Sequence, residues 1–86
     1  MAQAHFSAEL LDELNLLCLY NLDTTQAGLK VHAGSASPGA VAAAARLYEK
    51  GLVTQADGGY LTPRGREAAH HAQELTGLLD PAELTT

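Results

Sequence analysis

The chain has 86 residues, with five Lys and Arg against ten Asp and Glu and a net charge of −5. A domain of this size buries only about 60% of the surface its unfolded chain exposes, so support from a partner chain is expected. The charge is the wrong sign for holding a polyanion by electrostatics alone, and a lone cysteine, Cys18, excludes an intrachain disulfide. The first residues, "MAQAHFSAELL", have neither the basic start nor the apolar core of a secretory signal. The longest apolar run, "LNLLCLYNL", is too short to span a bilayer, and a cytoplasmic, reducing setting with no membrane association is expected.

Along the chain, Ser7 is a good N-cap preceded by Phe6, which suits a hydrophobic staple, and a helix is predicted over 8–21. Leu10, Leu14, Leu17 and Cys18 share one face of it, with Leu11 beside them. Leu16, Leu19 and Tyr20 lie on the other side, so the end of this helix is apolar nearly all round and must be covered, either by this chain or by another. Asp23 followed by Gln26 reads as a capping pair for a short helix over 24–32, which Gly28 weakens. Ser37-Pro38 joins an N-cap to proline at the first helical position and predicts a helix over 38–50. Gly51 closes it, with Leu52 folding back on Leu47, and its buried face is Val41, Ala44, Ala45, Leu47 and Tyr48. The stretch 52–62 alternates around Asp57-Gly58-Gly59 and reads as a β-hairpin. Thr62-Pro63 repeats the helix start, and a last helix over 63–79 carries Ala68, Ala72, Leu75 and Leu79 as its core stripe. Asp80-Pro81 stops it, which leaves one domain over 1–80 and an expected short flexible C-terminal tail over 81–86.

The order helix, helix, helix, strand, strand, helix makes a mainly α domain with a two-stranded β-hairpin wing, and it resembles the winged helix-turn-helix fold. The stretch "SPGAVAAAARLYEKGLV" (37–53) resembles the recognition helix and first wing strand of the MarR and PadR regulators. "GGYLTPRGREA" (58–68) is similar to their wing strand ending in "LT..G". The likeness is close from 37 to 68 and elsewhere lies in element order, and the whole chain also resembles a family of short uncharacterised bacterial proteins. The resemblance implies a third helix that enters the DNA major groove and dimerisation through terminal helices.

The residues themselves lend the DNA expectation little. Gly39, Ala42 and Ala43 supply no hydrogen-bonding side chain to base edges. The basic residues Lys30, Arg46, Lys50, Arg64 and Arg66 are either a phosphate-contacting set or scattered surface charge. If all met phosphate, the salt slope would be about −4 to −5 per protomer, at about −0.9 per contact. His70 and His71 are adjacent on a helix and point about 100° apart, so they do not share a face for a metal ion. Cys18 has no neighbouring base to activate it, and Glu9, Asp12 and Glu13 form no catalytic carboxylate pair. "GSASPG" lacks the lysine of a phosphate loop. No catalytic residue, metal or cofactor is expected. Leu16, Leu19, Tyr20, Leu78 and Leu79 are the candidate dimer or partner interface. Two functions remain open: a non-catalytic protein-interaction module or homodimer, associated with transcription, and a dimeric DNA-binding regulator.

Overall fold

A computed structural model of the chain describes residues 6–80. Its elements are α1 (Ala8–Leu17), β1 (Leu29–Lys30), α2 (Pro38–Glu49), β2 (Val53–Gln55), β3 (Gly58–Leu61) and α3 (Pro63–Leu79). The domain is mainly helical, with an antiparallel three-stranded sheet in the order β1-β3-β2. The core is formed by Leu16, Leu17 and Tyr20 of the first segment, Ala43, Ala44 and Leu47 of α2, Val53 of β2, and Ala69 and Ala72 of α3.

All three helices start where the sequence places them. The hydroxyls of Ser7, Ser37 and Thr62 accept from the N–H three residues on, at 3.1, 3.1 and 3.0 Å. Each offsets one of the donors that a helix start leaves without a partner. At the end of α2, the Leu52 N–H donates to the Leu47 carbonyl and the Gly51 N–H to that of Tyr48, both at 3.0 Å, which is a Schellman closure.

The predicted helix over 24–32 does not form, so there are three helices rather than four, and β1 occupies part of that stretch. Side chains capture the backbone first. The Asn21 side-chain oxygen accepts from the Asp23 N–H at 2.9 Å and the Thr24 hydroxyl from the Gln26 N–H at 3.0 Å, local bonds that compete with a helical ladder. Leu29 then pairs with Gly59 and Lys30 with Gly58, so the hairpin gains a third strand and is no two-stranded wing. Gly58 permits this crossing: it has φ +120°, and a Cβ there would collide with the Leu29 carbonyl.

α1 is shorter than predicted and ends at Leu17. The chain tightens instead, with Leu19 N–H donating to Leu16 and Tyr20 N–H to Leu17. Gln73 of α3 takes over the carbonyls left behind, donating to Leu17 at 3.2 Å and Tyr20 at 2.8 Å. The core stripe of α3 is Gly65, Ala69 and Ala72, rotated from the predicted one: Ala68 is half-buried, while Leu75 and Leu79 are exposed. On α2, Ala43 is fully buried instead of facing outward and Tyr48 is half-exposed instead of buried. Small side chains explain the shift on α3. The N-terminal turn of α3 lies so close to the start of β2 that a Cβ on Gly65 would overlap the Leu52 carbonyl, which brings the alanines inward and leaves the larger leucines outside. The tail over 81–86 lies outside the described residues.

Candidate functional site

Glu13 is 5% exposed, the one buried charged residue among those described. Its position three, four and seven residues before Leu16, Leu17 and Tyr20 places it on the face of α1 that α2 covers. A buried carboxylate requires partners, and α2 supplies both. Arg46 Nε donates to Glu13 Oε2 at 2.7 Å, and Lys50 Nζ to Oε1 at 2.5 Å. Arg46 also donates through Nη2 to the Glu9 carbonyl at 3.1 Å. Burial pushes the Glu13 carboxyl up, but the hydrogen bonds and charges of Lys50 and Arg46 outweigh it and hold the group below its ordinary value. A second acid of α1, Asp12, lies against the first turn of α2: a Cβ on Gly39 would sit 2.7 Å from its Oδ2. A carboxylate there complements the positive end of the helix.

Four of the five basic residues are engaged within the chain. Arg46 and Lys50 clamp Glu13. Lys30 pairs with Asp57 at the hairpin tip at 2.9 Å, and its hydrogen bond keeps the Asp57 carboxyl below its ordinary value. Arg66 donates to the carbonyls of Leu22 at 2.6 Å and Thr24 at 3.3 Å, pinning the irregular loop to α3. Among the described residues, Arg64 is the basic side chain with neither an ion pair nor a hydrogen bond.

The five candidate interface residues also divide. Leu16 and Tyr20 are buried in the chain's own core and are unavailable to a partner. They share that core with Ala43, Ala44 and Leu47 of α2, Val53 of β2, and Ala69 and Ala72 of α3. Leu19, Leu78 and Leu79 stay open, at 65%, 78% and 73% exposure. Leu19 edges a cleft of about 530 Å³ between α1, the start of α2 and Thr76 of α3, lined also by Asn15, Ser37 and Ala40. Cys18 lines the same cleft with its sulfur 3.4 Å from Thr76 Oγ1, and because the Thr76 hydroxyl donates to the Ala72 carbonyl at 2.8 Å, the thiol is the donor of that contact. A second cleft, about 220 Å³, lies beside the irregular loop and is lined by Asn21, Thr24, Thr25, Thr62 and Arg66. His70 and His71 are both exposed on α3. Among the described residues, no group of three or more His, Cys, Asp or Glu is placed to hold a metal ion.

Sequence reasoning missed Glu13 and Gln73. Both had a signal: an acid spaced with leucines and a tyrosine, and an amide on a helix facing the end of another. The Tyr20 hydroxyl is buried with no hydrogen-bond partner among the described residues, and burial followed by the Asp57 charge raises its pKa.

These features define a small helical domain with a three-stranded sheet, an internal charge clamp and exposed leucines after α1 and at the end of α3. The chain belongs to a family of unknown function, DUF5669, whose sequence profile matches residues 4–80. No curated protein matches the chain, and no solved structure does. Among the described residues, no helix is long and apolar enough to cross a membrane.

Proposed function

We propose that this protein is a non-catalytic interaction module on a winged-helix scaffold, that it pairs with a second copy of itself, and that it works around transcription in the reducing cytoplasm. The observation that carries the reading is that Leu19, just beyond α1, and Leu78 and Leu79, at the end of α3, are left exposed. Large exposed apolar side chains, one of them at the edge of an open cleft, favour a protein contact. The clamp on Arg46 and Lys50 supports the same reading, because it removes two cations from any polyanion contact. Light scattering at micromolar concentration tests it. The native chain should have dimer mass, and Leu19→Glu with Leu78→Glu should give a monomer with unchanged helical circular dichroism. A native monomer overturns the reading.

A dimeric DNA-binding regulator is the second reading. The specific observation in its favour is that α2 runs directly into the β2–β3 hairpin, the order that the resemblance to winged helices implies. Under this reading Arg64, exposed at the start of α3, is the first phosphate contact to test.

A further inference from the structure

We infer that Glu13 is an autoinhibitory counter-ion, which holds Arg46 and Lys50 against α1 and thereby keeps polyanions off α2. The inference is independent of self-association, which involves Leu19, Leu78 and Leu79.

Three observations carry it. First, the contact is one carboxylate against two cations, with both carboxylate oxygens engaged. A purely structural solution needs no such pairing, since well-packed apolar residues stabilise a buried seam as well as or better than buried ions. Second, the clamp is buried only on the acid side. Glu13 is 6% exposed at its side chain, whereas Arg46 and Lys50 are 31% and 48% exposed. Both cations thus border solvent, where an outside phosphate can reach them, and Glu13 is already bound to the nitrogens that such a phosphate would need. Third, the acids around α2 reinforce Glu13. Asp12 presses on the first turn of the helix, and Glu49 is exposed between the two cations in sequence. The other exposed positions of α2 between its ends are Ala42 and Tyr48, which offer no positive charge.

The test is fluorescence anisotropy with a random-sequence DNA duplex at low salt. Glu13→Gln keeps the shape of the side chain, removes its charge and leaves one accepting oxygen where the carboxylate offers two to Arg46 and Lys50. It should bind about tenfold tighter than the native chain, with a salt slope steeper by about 1.8, the equivalent of two phosphate contacts at about −0.9 each. Adding Arg46→Gln and Lys50→Gln to that variant should return binding to the native level. A folded Glu13→Gln protein that binds no more tightly than native overturns the inference. The native chain supplies a test that does not depend on any variant folding. Its Arg46 Nε–H resonance should be protected from exchange by Glu13 and should not shift when duplex is added, and a shift on addition overturns the inference.

Discussion

α1 is held by its two neighbours in different ways. Against α2 it uses charge: Glu13 is buried between Arg46 and Lys50, and Asp12 lies on the first helical turn. Against α3 it uses neutral groups: Gln73 donates to the Leu17 and Tyr20 carbonyls, Cys18 meets Thr76, and small residues close the core. In the charged seam the buried acid has both its oxygens bound by cations from the other helix. The neutral seam tolerates adjustment, and it is beside this seam that the leucines are exposed. The side of α1 that carries Glu13 is therefore committed within the chain, whereas Leu19 just beyond its end is exposed.

The largest expected effect comes from breaking the charged seam. Arg46→Ala with Lys50→Ala leaves a buried carboxylate without partners and should destabilise the fold by about 3–5 kcal/mol, read from urea unfolding. Acid attacks the same seam. The Glu13 carboxyl lies below 4.5 in the folded chain, so its contribution is complete above pH 4.5 and is lost as pH falls through the folded value. The unfolding midpoint of the native chain should drop over that window more steeply than that of Glu13→Gln. The neutral seam should respond less: Gln73→Ala removes two hydrogen bonds to carbonyls and should cost about 1–2 kcal/mol with no added pH dependence. The smallest effect belongs to the hairpin tip. Lys30→Ala breaks an exposed ion pair with Asp57 and should leave the melting temperature unchanged within error. If Gln73→Ala proved costlier than the double cation removal, the ranking of the two seams would be reversed.

What could be read from the sequence follows from how local each signal is. Ser7, Ser37-Pro38 and Thr62-Pro63 act within one helical turn, so three helix starts were legible, as was the hairpin around its glycines. The stretch around Thr24 was misread because "DTTQ" suits a helix cap and a side-chain turn equally well, and the choice depends on a strand partner more than 25 residues away, Gly58 and Gly59. The candidate site was legible only in fragments. Arg46 and Lys50 stand four residues apart on one helix, but their partner lies more than 30 residues back in sequence on another helix. Leu16 and Tyr20 read as needing cover from this chain or another, and the fold places them in a core shared with α2, β2 and α3.

The region around Leu52 has a kinetic consequence. Its N–H donates to Leu47, its carbonyl accepts from Thr62, the Thr62 hydroxyl donates to Gly51 at 2.6 Å, and Gly65 is pressed against the same carbonyl. The end of α2, the root of the hairpin and the first turn of α3 thus form one knot of short loops, which close at low entropic cost. Short loop closure favours early formation of this knot, with α1, whose clamp spans far more of the chain, expected to dock afterwards. Mutations in the knot should then slow folding, whereas loss of the Glu13 clamp should mainly speed unfolding.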